Sequence, residues 1–363
     1  MAEDVSVTAV GPMGQNGRAL NSLKGAMSTY RGVATVLILL LIVFGFAQSS
    51  FMTTSNFQNI VSSNAILLVI AVGMTFPMLA GGFDLSVAGT DALAGILLSK
   101  LLLAGMPMVE AIGIIIISAV VLGAITNGLL IGYFGVNFFI VTLGTLTITQ
   151  GISLQITGGN DITMYNEKWL LQVANNNVFG FPILGLVALA ILILGILVLR
   201  YTGFGRMVYS VGGNQEAARL SGISVARVRL TTYAISAGLA ALAGMLEVGR
   251  LASSGPTTDS TIELTGAAAV LIGGVAFGGG VGTLLGTFLG VAFLGVLQSG
   301  LLISGISSYW QGIITGIVLI ASVTVDRMRA RRASTKKLRQ TGEDQAPTVS
   351  DTVLPIPGEG MSS

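Results

Sequence analysis

Ten apolar runs, set apart by short polar segments, make up most of this chain. They cover approximately residues 33–47, 60–80, 87–105, 108–131, 138–156, 181–199, 230–249, 262–278, 283–304 and 309–325. A helix that crosses a bilayer needs about 20 mostly apolar residues, so the pattern predicts an all-α, polytopic membrane protein with about ten transmembrane helices. The runs are continuous rather than alternating and are too long for barrel strands. The first run, Val33 to Ala47, follows a polar leader that is long for a secretory signal, and no small-x-small cleavage site follows it. It therefore reads as a span. Three regions result: a flexible polar segment over 1–32, a membrane body over 33–326, and a tail over 327–363 that starts basic and ends as a disordered stretch.

Composition excludes a soluble domain. The chain is 52% hydrophobic and 9% charged, with a mean hydropathy of +0.84, whereas soluble domains carry about 25% charged residues. Its 50 glycines have no Gly-X-Y period and suit helices whose backbones approach closely in lipid. With no Cys and no His, it lacks thiolate metal ligands and the commonest general base. No catalytic residue, metal site or nucleic-acid partner is expected.

Charge then orients the runs. Fifteen of the 18 basic residues fall in three clusters: Arg18 to Arg31, Arg200 to Arg229, and Arg327 to Arg339. Cytoplasmic loops of membrane proteins hold such an excess of Lys and Arg. Six runs separate the first two clusters and four separate the last two; both numbers are even, so all three clusters face the same side. The termini and the segment 201–229 are expected in the cytoplasm, and the segment 157–180 outside. The basic start of the tail is also expected to touch anionic membrane lipid.

The chain also repeats itself. Residues 122–144 lie on 294–316 without a gap, and Gly123, Gly128 and Gly144 match Gly295, Gly300 and Gly316. This displacement carries spans 2–5 onto spans 7–10. An offset of five crossings gives the two halves opposite orientation, an inverted repeat of the kind that places a substrate path at the repeat interface.

The middle basic segment holds a compact helix pattern, GGNQEAARLSGI, over residues 212–223. Asn214 suits an N-cap, Glu216 suits the positive end of a helix dipole, and Gly222 suits a left-handed stop. By these features alone it is an ordinary amphipathic connector. The motif N-x-E-A-A-R-L-S-G-I followed by a span resembles the coupling loop of ABC-importer permeases, and more narrowly that of the ribose, xylose and autoinducer-2 class (carbohydrate uptake type 2). Three further segments agree: GGFDLSVAG (81–89), NFFIVTLGTLTITQGI (137–152) and GGVAFGGGVGTLLGTFLG (273–290). The resemblance covers roughly residues 33–327. The chain departs from the family pattern at Phe83 (Ile is usual), at Ala88 (Gly is usual), in the absence of a basic residue over 132–136, and in its long polar tail.

The resemblance implies a multi-pass permease of the bacterial inner membrane and a division of labour. A separate ABC-type ATPase, which binds ATP and Mg, would grip the short helix through Asn214, Glu216, Ala217, Arg219, Leu220 and Gly222. Leu220 and Ile223 would be apolar anchors, Glu216 and Arg219 a polar rim. This chain has no G-x-x-x-x-G-K-[ST] loop to cradle phosphates, so it is expected to bind no cofactor and to be no enzyme. A periplasmic or lipid-anchored sugar-binding protein would deliver the solute, and a second permease subunit, identical or not, would complete the path.

Polar residues within the apolar runs are the candidates for that path or its gate: Gly81, Gly82, Asp84, Ser86, Asn137, Phe138 and Thr142. Pro77 kinks or ends span two, and a carboxylate deep in a bilayer costs about 2.5–3.5 kcal/mol on insertion scales. Asp84 therefore either caps the third span or faces a polar path. Asp91 would share the same aqueous entrance. Asp259 and Glu263 lie in the counterpart of 81–91, read equally as a docking loop or a solvated turn. Asn64, Asn127, Thr145 and Gln298 would mostly bond neighbouring helices. Gly282, Gly286 and Gly290 form one packing face. The leading expectation is an ABC-importer permease for a monosaccharide-like solute. The alternative is an ion-coupled secondary transporter using Asp84 and Asp91; a non-transporting scaffold is the third class.

Overall fold

A computed structural model describes residues 15–165, 167–256 and 261–307, with scattered positions from 309 to 328. The chain divides into two units, Met1–Val323 and Thr324–Ser363. The second unit lies almost wholly outside the described residues, and with it the third basic cluster and the tail. Seven of the 17 positions of the tenth apolar run, and Asp259, also lie outside them.

The first unit is mostly helical: α1 (Gln15–Ala47), α2 (Thr54–Leu79), α3 (Val87–Leu103), α4 (Met108–Gly123), a π-helical turn (Ala124–Leu129), α5 (Leu130–Gly132) and α6 (Phe138–Thr157). A polar stretch then carries β1 (Ile162–Thr163), α7 (Lys168–Asn175), β2 (Asn177–Val178) and β3 (Phe181–Pro182). After it come α8 (Ile183–Tyr201), α9 (Gly203–Gly213), α10 (Gln215–Leu220), α11 (Val225–Leu251), β4 (Ser253–Ser254), α12 (Ile262–Ile272) and α13 (Leu284–Ile303). The all-α expectation needs one amendment. Two two-residue antiparallel ribbons, β1 with β4 and β2 with β3, tie connecting segments together.

Among the described residues, six helices are long and apolar enough to cross a membrane: α2, Met108–Gly132, α6, α8, α11 and α13. Ten were expected, and the differences have local causes. In α1 only Arg31–Ala47 is apolar, although the backbone is helical from Gln15, within the leader expected to be flexible. The third run gives a 17-residue helix that carries Asp91 and Lys100. The eighth stops at Ile272, because the chain leaves the helix at Gly273 and takes a left-handed conformation at Gly274 (φ 86°).

Helix ends follow their caps. Thr53, Asn137, Ser224 and Thr283 each accept a backbone N–H of the first turn that follows. Pro77, lacking a donor, sits in the last turn of α2, and Gly82 N donates to the Pro77 carbonyl (2.8 Å) as the helix ends.

Burial separates a central pair from its surroundings. In α2 and α11, 72% and 67% of the apolar window is buried, against 22–28% in Met108–Gly132, α6 and α8. The pair runs antiparallel. A methyl on Gly73 would meet Leu239 at 3.2 Å, and one on Gly82 would meet the Tyr233 hydroxyl at 2.5 Å. The α4–α5 stretch packs along α11 through glycines, with Gly128 against Leu230 and Gly132 against Ala226. The outer helices turn Ile114, Ile117, Ile140, Ile148 and Leu194 outward. That is the distribution of an apolar belt around small-residue helix contacts, as lipid requires.

Candidate functional site

Two features stand out, a projecting helix and a buried polar junction. α9 and α10 meet at Asn214, whose Oδ1 accepts the Ala217 N–H (2.9 Å) and so starts α10. Glu216 lies in the first turn and accepts from Arg219 Nη2 at 2.9 Å. Both side chains are exposed, so the pair adds little stability. The helix stops in a Schellman motif: Ile223 N donates to the Ala218 carbonyl, Gly222 N to the Arg219 carbonyl, and Gly222 is left-handed at φ 81°. Six residues are thereby fixed at both ends. Ala218 packs inward, Arg229 Nη2 on α11 donates to Gln215 Oε1 (2.9 Å), and Ala217 and Leu220 face outward, Leu220 with 80% of its surface exposed. A short, rigid helix with an outward leucine is built for contact rather than for the core.

The junction occupies the break between α2 and α3, residues 80–86. Asp84 Oδ1 accepts the Ser86 N–H (3.0 Å) and the Ser86 hydroxyl (2.6 Å). Asn127 Nδ2 donates to Ser86 Oγ (2.8 Å) and reaches Asp84 Oδ1 at 3.4 Å. Thr145 Oγ1 donates to Asn127 Oδ1 (2.7 Å). All four side chains are buried. Asp84 is therefore not the N-cap of α3. That position is Ser86, which makes no side-chain cap bond; Asp84 closes a turn on the residue two ahead and ties it to α6 through Asn127. From α11, Tyr233 donates to the Phe83 carbonyl (3.2 Å), and the Ser236 hydroxyl lies against the Asp84 carboxyl. Asn127 enters because α4 passes through its π-helical turn there, a distortion common at functional sites.

The remaining candidates divide. Gly81 and Gly82 belong to the same break, Gly81 left-handed at φ 79°. Thr142 is buried, one turn before Thr145 on α6, and donates to the Phe138 carbonyl. Phe138 is half-buried against Ile131, Val141 and Tyr233. Asn137 is exposed and caps α6 through Phe139 N, away from the junction's bonds. Gly286 and Gly290 face α12 at Gly273 and Ala269. Gly282 lies outside α13, and its carbonyl accepts the Tyr209 hydroxyl at 2.9 Å, so the three glycines do not share one helical face. Asp91 is buried on α3 and lines a small cleft with Gly244, Glu247 and Ser254. Asp84 is not among the residues lining that cleft. Glu263 is buried on α12.

Sequence reasoning placed Asn127 and Thr145 only as helix-to-helix bonders and passed over Tyr233 and Ser236. The available signal was their polarity within otherwise apolar runs, at 108–131, 138–156 and 230–249.

Comparison with known proteins gives a consistent result. The model of the family described as branched-chain amino acid transport system / permease component matches residues 56–323. The ribose import permease protein RbsC of Bacillus subtilis (strain 168) is 40% identical over 296 residues, 81% of this chain and 91% of the relative. RbsC of Escherichia coli (strain K12) is 33% identical over 303 residues, 81% and 92% of the two chains. The galactose/methyl galactoside import permease protein MglC of the same strain is 33% identical over 324 residues, 83% and 95%. No solved structure matches.

Proposed function

This chain belongs to the family described as branched-chain amino acid transport system / permease component, and from that premise we propose that it is the membrane-spanning permease subunit of an ABC importer for a monosaccharide or similar solute. The family description covers transport of more than one solute class. The relatives named for ribose and galactose, matched over more than nine-tenths of their length, favour a sugar. ATP hydrolysis belongs to a separate subunit, because the relatives are permeases and this chain has no phosphate-binding loop.

The observation that carries the coupling role is α10. It is capped at Asn214, stopped at Gly222, and turns Leu220 outward between two apolar spans. We place it in the cytoplasm with the basic residues Arg200, Arg206 and Arg227 around it, docked in a groove of the ATPase. Glu216, Ala217 and Arg219 would rim that contact. The whole chain would cross the membrane ten times, with α12 and the residues after it completing one crossing. The inverted repeat has support beyond its motif: moved by the same 172 positions that carry 122 to 294, α2 falls on 226–251, one residue from the start of α11. Within this frame the buried junction at Asp84, Ser86 and Asn127 holds a broken helix pair as a gate, with Thr142 beside it. Asn137 and Phe138, at the more open start of α6, line the path. An extracytoplasmic binding protein would present the solute at the 157–180 face, and a second permease subunit would form the other wall.

Leu220→Asp tests the docking. Loss of an apolar hot spot typically costs 2 kcal/mol or more, so the variant should insert at wild-type level but lose co-purification of the ATPase and solute uptake in proteoliposomes. Uptake by this chain alone in energised vesicles would sink the assignment and favour an ion-coupled transporter.

A further inference from the structure

We propose that three backbone segments, Leu79–Gly81, Gly212–Gly213 and Gly279–Gly280, form a backbone-to-backbone knot that passes movement of α10 to the break between α2 and α3. This rests on the reading of α10 as the ATPase contact and adds the route by which its motion reaches the gate.

The knot is built at the end of α2. The carbonyl of Leu79, the last residue of that helix, has no intrahelical partner and accepts the Gly280 N–H at 2.8 Å. Gly212, at the end of α9, packs on the same carbonyl so closely that a Cβ there would overlap both the Leu79 oxygen and Gly280 N. A Cβ on Gly279 would come within 2.6 Å of Gly81 N and 3.1 Å of Gly212 Cα, and one on Gly280 within 2.5 Å of Gly213 N. Gly279 and Gly280 are also left-handed, at φ 84° and 72°.

Two side-chain ties hold α9 against the same elements. Tyr209 donates to the Gly282 carbonyl at 2.9 Å, and Phe204 stacks on Phe76 of α2 with ring centroids 6.4 Å apart. A side chain between two helices can absorb a small displacement by changing rotamer. Backbone in contact with backbone has no such slack, and close-packed interiors transmit strain. The knot adjoins α10 on one side, since Gly213 directly precedes its cap Asn214. On the other side Asp84 lies in the non-helical stretch that directly follows Leu79, and its bonds lead through Asn127 to Thr145 on α6. The turn 273–283 joins α12 to α13, so both halves of the proposed repeat meet at this point.

The test uses the complete importer, permease with ATPase and binding protein, in proteoliposomes. Gly212→Ala should leave ATPase co-purification and basal hydrolysis in place and lower uptake per ATP hydrolysed roughly 5- to 150-fold, the range of allosteric coupling. Gly278→Ala, just outside the knot where a methyl would meet nothing within 4 Å, should import like wild type. A measurement on the unaltered protein stands beside the variants: by hydrogen exchange, the Gly280 amide should stay protected both without nucleotide and with ATP trapped. Normal uptake by Gly212→Ala, or loss of that protection in either state, overturns the knot while the docking of α10 stands. If Leu220→Asp leaves the ATPase bound and coupled, the docking reading fails and the route falls with it.

Discussion

Asn127 is the residue on which the junction turns. Its amide donates to Ser86 and accepts from Thr145 at once, so three elements share one side chain. Replacing it with Leu strands the buried Thr145 hydroxyl, at about 1–3 kcal/mol for an unsatisfied group, and removes the donor to Ser86 Oγ, which keeps only its own bond to Asp84. Asn127→Leu should therefore lower the thermal unfolding midpoint in detergent markedly. Asp84→Asn keeps the Oδ1 acceptor that Ser86 uses and should unfold near the wild-type temperature, whereas Asp84→Leu should not. A wild-type midpoint for Asn127→Leu would show that the network contributes nothing to stability. The sequence marked Asp84 as costly to bury but not its role. A carboxylate before a helix caps it or turns back on a nearer residue according to backbone angles that residue types do not specify. Asn127 was visible as polar in an apolar run, but the π-helical turn that aims it inward has no compositional mark.

For helices, the ends were the most legible part. α10 starts at Asn214 and stops at Gly222, where the residue types required it. Asn214→Ala should destabilise this helix by about 0.5–2 kcal/mol. Gly222→Pro is harsher: the ring fixes φ near −65°, while the residue here sits at +81° and donates to Arg219. Both variants should uncouple ATP hydrolysis from uptake while the chain still inserts, measured as solute moved per ATP consumed. Glu216→Ala removes only an exposed ion pair, so any uncoupling it causes would report lost contact with the ATPase rather than a melted helix. Helix lengths were less legible. The eighth apolar run continues past Ile272 in hydropathy, but Gly273 and Gly274 turn the backbone away there. Hydropathy reports what lipid or core accepts, and it is blind to φ.

Across the whole molecule, the alternation of basic and apolar segments gave a sidedness that a single chemistry can check. The chain has no cysteine, so one introduced thiol is unambiguous. A thiol in place of Glu216 should react with an impermeant maleimide only in inverted vesicles, and one in place of Tyr165 only in intact cells. The reverse pattern would turn the molecule over and remove α10 from the ATPase. What the sequence did not disclose is which spans lie innermost, because α2 and α8 are both apolar yet differ in burial, 72% against 28%. The enclosure of α2 also sets a timetable. A ribosome delivers α2 to the bilayer long before it has made α11, α12 and α13, which cover it. Until then, the surface around Gly73 that α11 covers lacks its protein neighbour, and the Phe83 carbonyl lacks the Tyr233 hydroxyl. A nascent chain halted before α11 is thus a half-built object with its seam open, one that membrane quality control should recognise and clear.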